Sequence, residues 1–328
     1  MRPSAVRKAL EILIDSRRPV FVWGPPGVGK SDVVEQIAVD RKIALLDFRM
    51  ALRDPTDLKG FPMPDTKTKT MKFFRDDELP TKGKGILFFD EMNSAAPATQ
   101  AAAMQLTLTG RIGDYVLPEG WAIVAAGNRE SDRSVVNRMP AALANRFVHL
   151  DFEVHLDDWC SWAIQNNIQT EIIAFLRFRA NLLHAFNPAE NPRTFPTPRA
   201  WSFVNDIIKK DVPSDIQFDL FKGTVGDGAA SEFVAFIKVM NELPSIDQII
   251  LNPLNTPVPE SPATLYALTT SLGMKASSAN FDNLMKYAAR MPTEFQVVFV
   301  RDAVRRCDEV CATKSFLDWG VKNANVLT

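Results

Sequence analysis

The chain has 328 residues, of which 46% are hydrophobic and 23% charged, and these values are ordinary for a soluble globular protein with more than one domain. The formal net charge of −1 argues against a protein that holds nucleic acid through broad positive charge, although a local basic patch is compatible with a neutral total. No apolar run is long enough to span a bilayer. We therefore expect no membrane contact. The three cysteines and three histidines provide no second pair of metal ligands, so we expect reduced thiols and a cytoplasmic location.

Residues 1–19 begin with basic residues and continue with apolar ones, as a signal peptide does. Acidic residues interrupt the apolar part, however, and no small-residue cleavage site follows it. The spacing of Val6, Leu10 and Leu13 instead predicts an amphipathic first helix with these residues on one face.

The segments that follow alternate between apolar runs and helical patterns. The apolar runs lack the alternation of polar and apolar residues that a half-exposed strand shows, and helical segments separate them. This order is typical of a parallel sheet covered by helices on both faces, and it predicts five buried strands. The predicted strands are 19–23, 43–48, 85–91, 121–128 and 146–152.

Two polar segments interrupt this pattern, and each is predicted to form a hairpin. Residues 61–77 place a Lys/Thr stretch between apolar residues, and residues 110–120 contain Gly113-Asp114, a pair suited to a tight turn. The first hairpin carries lysines that either contact a substrate or lie at a solvated tip. These lysines are Lys67, Lys69 and Lys72.

From about residue 155 the pattern becomes helical, with proline-rich stretches at 187–200 and 252–262. Cys307 and Cys311 lie four residues apart on a predicted helix, where buried or neutral thiols are favoured over a shared metal ion. We therefore expect three regions: an α/β core over 1–152, a helical lid over 153–250 and a C-terminal helical extension over 251–328.

The sequence GPPGVGKS has the pattern of a phosphate-binding loop, and it stands between a predicted strand and a predicted helix. Glycines let the backbone wrap phosphates, and the helix that follows adds its positive N-terminal end. The alternative is a chance glycine turn. We expect the lysine to reach the β- and γ-phosphates of ATP and the serine hydroxyl to bind Mg²⁺. The expected nucleotide-binding residues are Gly24, Pro25, Pro26, Gly27, Val28, Gly29, Lys30 and Ser31.

Two carboxylates end the predicted strand at 85–91, and ligands of open α/β sheets bind at such carboxyl ends. Asp90 is placed to hold Mg²⁺, partly through water, and Glu91 is placed to act as a general base on the attacking water. The alternative is that these two acids cap the helix that follows.

Two further residues are candidates for the chemistry of the γ-phosphate. Asn128 ends the strand at 121–128, where a neutral amide can orient water and phosphate, and an ordinary turn asparagine is the alternative. Thr197 and Pro198 suit the cap and first position of a helix. Arg199 then falls in the first helical turn, from which it can bind phosphates; a surface arginine is the alternative.

Taken in order and spacing, the segments GPPGVGKS, ILFFDE, AAGN, LANRF and TPRAW resemble an AAA+ ATPase over about residues 15–240. The two predicted hairpins resemble the inserts of the MoxR branch. This resemblance implies a P-loop NTPase core with a five-stranded parallel sheet, followed by a helical lid. It also implies ring assembly, usually as hexamers with ATP between neighbours, and chaperone-like remodelling, often with a protein that carries a von Willebrand factor A domain.

Within this resemblance, Arg146 matches the arginine finger, a cation that completes the ATP site of the next subunit. Arg129, Arg133 and Arg138 are competitors, and a solvated helix end is the remaining alternative. Two other functions stay open: a nucleotide-gated scaffold with little turnover, and a nucleic-acid-dependent motor. Turnover measurements separate the scaffold from the ATPase, and stimulation by DNA would support the motor.

Overall fold

The protein is described by a computed structural model that covers residues 1–74, 77–132, 137, 139–190, 192–210 and 212–323. The chain divides into two compact units. The first comprises Met1–Val154 with Asn187–Asn191, and the second comprises His155–Phe186 with Pro192–Thr328.

The first unit is built on a five-stranded sheet with the strand order β2-β5-β8-β1-β9, in which every pair of neighbours is parallel. The predicted α/β fold with five parallel strands is therefore confirmed. Parallel neighbours place all carboxyl ends at one edge of the sheet, where the candidate residues of three strands meet. The strands are β1 (Val20–Trp23), β2 (Ala44–Arg49), β5 (Lys84–Asp90), β8 (Gly120–Gly127) and β9 (Val148–Asp151).

The position of a strand in this order decides how deeply it is buried. The central strands β5 and β8 are buried along most of their length. The prediction of buried strands is wrong for the two edges: only Phe48 is buried in β2, and only Leu150 in β9. Each edge strand pairs on one side only, so helices and neighbouring strands cover less of it.

Helices cover both faces of the sheet. The first two pack on one face with Val20, Val22 and Phe88, and α4 packs on the other. The predicted first helix is confirmed, although Ile14, and not Leu13, is its third buried residue. The helices of this unit are α1 (Pro3–Asp15), α2 (Lys30–Arg41), α3 (Pro55–Lys59), α4 (Pro97–Thr109) and α5 (Ala141–Ala144).

Both predicted hairpins are confirmed. The first pairs β3 (Phe61–Asp65) with β4 (Thr70–Phe74), and the second pairs β6 (Arg111–Ile112) with β7 (Tyr115–Val116). In the first hairpin the Lys72 ammonium lies 2.7 Å from a carboxylate oxygen of Asp65.

The second unit is helical, as predicted, and its C-terminal helices pack on its N-terminal ones. α12 contacts both α7 and α14, and α14 also contacts α6. The boundary expected at residue 250 falls inside this unit. The helices are α6 (Leu156–Gln165), α7 (Thr170–Phe178), α8 (Pro198–Ile208), α9 (Ser214–Val225), α10 (Asp227–Asn241), α11 (Ile246–Leu251), α12 (Pro262–Lys275), α13 (Phe281–Ala288), α14 (Thr293–Arg306) and α15 (Lys314–Lys322).

The three cysteines carry no bond to one another. The expected single helix for Cys307 and Cys311 is wrong, because Cys307 caps the end of α14 and Cys311 lies in a separate 3₁₀ turn, Asp308–Ala312. Within the described ranges, no group of three or more acidic, histidine or cysteine side chains could hold a metal ion. None of the helices described is both long and apolar enough to cross a membrane.

Candidate nucleotide-binding site

The loop between β1 and α2 owes its shape to two glycines. Gly27 and Gly29 have φ values of +74° and +95°, a left-handed region in which other residues are strained. The loop is fixed at its start, where the Gly24 N–H donates to the Gly127 carbonyl (3.3 Å), and Val28 is buried under it. Directly after it, α2 begins at Lys30, so the loop precedes the positive end of a helix.

The Lys30 ammonium joins this loop to the end of β8. Its Nζ donates to the carbonyl oxygens of Gly24 (2.8 Å) and Pro25 (2.9 Å), and to Oδ1 of Asn128 (3.1 Å). The Lys30 ammonium, a compact charge with three hydrogen-bond donors, is therefore held by neutral oxygen acceptors beside the glycine loop. The structure thus brings together Lys30 and Asn128, which lie 98 residues apart in the chain.

Ser31 and Asp90 form a second contact across the same edge. The Ser31 hydroxyl donates to Oδ2 of Asp90 (2.8 Å), while Oδ1 of Asp90 accepts from the Glu91 backbone N–H (2.9 Å). A hydroxyl and a carboxylate are hard oxygen ligands of the type that Mg²⁺ prefers, and few protein ligands suit an ion that keeps several waters. These two residues therefore fit the expected Mg²⁺ site.

Glu91 is not a helix cap for α4. The cap position of α4 is Ala96, and Glu91 makes no side-chain capping bond to the 3₁₀ turn that follows it. Glu91 has φ +53°, which is uncommon for a residue with a side chain and typical of functional sites. Its side chain is exposed and makes no ion pair or hydrogen bond within the described part of the chain. The capping alternative for this residue is therefore wrong.

Negative charge accumulates at the carboxyl ends of β2 and β5. Burial, and then the charge of Asp90, raise the pKa of Asp47 above its ordinary value, and Arg49 offsets part of this effect. A divalent cation at this edge would relieve the repulsion between these carboxylates.

Asn93 belongs to the site, although the sequence analysis missed it. Its side chain is 2% exposed, and its Nδ2 donates to the backbone carbonyl of Asn128 (2.6 Å). A Cβ atom on Gly127 would lie 2.2 Å from Asn93 Oδ1, so the glycine permits this contact. The available sequence signal was a polar residue three positions after Asp90. Asn93 thus ties the turn after Glu91 to the strand that ends at Asn128.

The structure distinguishes two of the candidate arginines. Arg146 is exposed in the turn between α5 and β9, and its side chain has no hydrogen-bond or ion-pair partner in the described segments. Arg129 instead donates from Nη2 to the Phe152 carbonyl (3.1 Å) and lies 3.8 Å from Asp151. Arg129 is therefore held within its own unit. Arg133 and Arg138 lie outside the described residues.

Arg199 lies in the second unit. The Thr197 side chain accepts from the Ala200 N–H (3.0 Å) and Pro198 occupies the first helical position of α8, as predicted. Arg199 is exposed in this first turn. Its proposed contact with nucleotide remains a prediction.

Comparison with known proteins agrees with this geometry. The family model described as "ATPase family associated with various cellular activities (AAA)" matches residues 20–154. The human ATPase family gene 2 protein homolog B is 33% identical over 132 residues, which are 38% of this chain and 16% of that protein. The chain thus matches about a sixth of the length of this curated relative.

Two solved structures are similar at low sequence identity. NtrX from Brucella abortus is 13% identical with a TM-score of 0.40, over 91% of this chain and 67% of that one. The RuvB Holliday junction branch migration motor of Thermotoga maritima is 16% identical with a TM-score of 0.38, over 88% and 89%.

Proposed function

We propose that the protein binds ATP with Mg²⁺ in the loop 24–31 and hydrolyses it. The match of the AAA family model to residues 20–154 supports this proposal. The observation that carries this proposal is the pair of contacts at the sheet edge. Lys30 reaches Asn128, and Ser31 reaches Asp90, so the loop meets the ends of β8 and β5 within hydrogen-bonding distance. Four side chains from three segments are thereby gathered beside one glycine loop.

Each side chain has a distinct role in this proposal. Lys30 exchanges its carbonyl acceptors for phosphate oxygens, and the loop N–H groups bind the same phosphates. Ser31 and Asp90 hold Mg²⁺, which neutralises charge on the phosphates. Glu91 accepts a proton from the attacking water, and Asn128 orients that water through its amide.

Arg146 acts on the next subunit in this proposal. Its exposed guanidinium has no hydrogen-bond or ion-pair partner among the residues that the structure describes, so it is available to a neighbouring chain. There it can donate to the γ-phosphate oxygens in a fork geometry. The proposed assembly is therefore a ring, and the proposed number of six subunits comes from the family resemblance. The proposal also assigns phosphate binding to Arg199. Its three regions are a core at 1–152, a lid at 153–250, which contains Arg199, and an extension at 251–328.

The cellular role that we propose is MoxR-like: cytoplasmic, chaperone-like remodelling or activation of a protein client. Support comes from the two hairpins at 61–74 and 111–116, whose sequences resemble the inserts of that branch. A protein with a von Willebrand factor A domain is the proposed partner. The cation–π contact of Lys59 with Phe73 (5.0 Å) fixes the base of the first hairpin and leaves its tip exposed.

ATP binding and turnover by purified wild-type protein and by Glu91→Gln test this function. We expect Glu91→Gln to bind ATP–Mg²⁺ as the wild type does and to lose about 10²- to 10⁴-fold in turnover, because the amide cannot accept the proton. The matched control is Glu119→Gln, which changes an exposed glutamate at the opposite end of the sheet. Binding without turnover in the wild type would instead support the scaffold, and strong stimulation by DNA would support the motor.

A further inference from the structure

His149 forms a bridge between β1 and α5. The Trp23 indole Nε1 donates to His149 Nδ1 (2.8 Å), and His149 Nε2 lies 2.8 Å from the Ala144 carbonyl oxygen. Because an indole N–H can only donate, Nδ1 must accept, and the imidazole proton then lies on Nε2, where it is donated to Ala144. The two bonds therefore select one tautomer of the neutral ring.

Aromatic packing holds the imidazole in this orientation although the residue is exposed. The His149 and Trp23 rings stack with centroids 6.0 Å apart and an interplanar angle of 22°. Trp23 stacks in turn on Phe21 at 4.1 Å, and Phe147 meets Phe21 edge-on at 5.5 Å. Phe21 is fully buried, so the bridge rests on the core of the sheet.

The two ends of this bridge lie next to residues of the proposed reaction. Trp23 directly precedes Gly24, the first residue of the nucleotide loop. The Ala144 carbonyl also accepts from the Phe147 N–H (3.2 Å), and so anchors the turn that contains Arg146.

We infer that His149 is a positioning residue that sets the Arg146 turn relative to β1, and thereby links a subunit's own nucleotide loop to the arginine that it offers its neighbour. This inference rests on the proposed function. The imidazole itself touches no reacting atom in this scheme, so its effect passes through Arg146.

The test is a comparison of His149→Phe, Arg146→Ala and the double variant in steady-state ATPase assays. We expect His149→Phe to lower kcat about 10- to 100-fold, the size of effect that a small misplacement of a catalytic group causes, while the KM for ATP changes less than about twofold. The double variant should be no slower than Arg146→Ala alone, because a misplaced finger cannot matter once the finger is gone.

Two milder variants keep the test independent of folding defects. His149→Gln retains an amide N–H for Ala144 and should recover most of the lost kcat. Trp23→Phe removes only the donor and keeps a stacking ring, so it should cause a smaller loss. Multiplicative losses in the double variant, or a normal kcat in His149→Phe, would overturn the inference. A normal kcat in Arg146→Ala would instead overturn the finger assignment in the proposed function.

Discussion

The two units use charged side chains in opposite ways. In the first, Lys30 at the start of α2 and Asp90 at the end of β5 are partly exposed, and the hydrogen bonds described above join them to neutral groups. In the second, Arg177 and Asp302 form an ion pair whose side chains are 9% and 0% exposed. A cation and a carboxylate are thus proposed to serve binding in one unit, whereas they serve packing in the other. Exposure together with the kind of partner separates the two roles.

The buried pair is fully satisfied within the second unit. Arg177 Nη2 donates to Asp302 Oδ1 (2.6 Å), Nη1 donates to Asp302 Oδ2, and Nη1 also donates to the Thr270 hydroxyl (3.0 Å). Burial lowers the pKa of Arg177, but the Asp302 carboxylate outweighs burial and raises it overall. The pair thus joins α7, α12 and α14, and we assign it to structure and not to chemistry.

The largest effect should come from Arg146→Ala, which tests the exposed side of this comparison. We expect turnover to fall about 10³- to 10⁵-fold, because this variant lacks the charge that we propose stabilises the γ-phosphate. The free energy of unfolding should change by less than about 0.5 kcal/mol, since Arg146 has no side-chain partner in the described structure. A steady-state ATPase assay checks the first statement, and chemical denaturation checks the second. Arg146→Lys, which keeps the charge without the fork, is the matched control and should recover little activity.

Asp302→Ala should have the reverse signature. It leaves the Arg177 guanidinium buried and unpaired, so we expect about 3–5 kcal/mol of lost stability in the second unit. Chemical denaturation followed by circular dichroism measures this loss. The double replacement of Arg177→Met and Asp302→Leu removes both charges and should restore a large part of it. Equal losses in the single and double variants would contradict the assignment of this pair as a compensated buried charge.

Gly127→Ala should disturb both chemistry and stability, because the new Cβ would lie 2.2 Å from Asn93 Oδ1. We expect about 1–3 kcal/mol of destabilisation and a reduced kcat, since relieving the overlap moves Asn93 and the Asn128 carbonyl that it binds. The control is Gly223→Ala in α9, where a Cβ would meet nothing within 4 Å. There the helix should become slightly more stable.

The last effect is a dependence on pH and concerns the buried thiol of the second unit. Burial raises the pKa of Cys160 to about 11 from an ordinary value of 9.0. The folded pKa is the higher one, so the stabilisation is present below pH 9 and is lost as the pH rises towards 11. We expect the free energy of unfolding to fall by about 2–3 kcal/mol across this range, measured by denaturation.

Thiol labelling at pH 8 should modify Cys307 and Cys311 before Cys160, because these two are half-exposed. Rapid labelling of Cys160 would contradict its burial.

The sequence predicted the first unit more fully than the second because its signals are local. A glycine loop between a strand and a helix, or two acids after an apolar strand, can be recognised within eight residues. Contacts across the chain could not be recognised in this way: Asn93 meets Asn128 after 35 residues, and Arg177 meets Asp302 after 125. The exposure of β2 and β9 was missed because it depends on strand order, which apolar runs do not specify.

We propose that each ATP site is completed by two chains, and mixing two inactive variants tests this proposal most directly. Arg146→Ala keeps Lys30 and Glu91 but offers no finger, whereas Glu91→Gln has no base but still offers Arg146. After subunit exchange, verified by tagged co-purification, some junctions combine an intact Glu91 with an intact Arg146. ATPase activity should then return in proportion to the fraction of such junctions. Verified mixed rings that stay as inactive as either variant alone would contradict the claim.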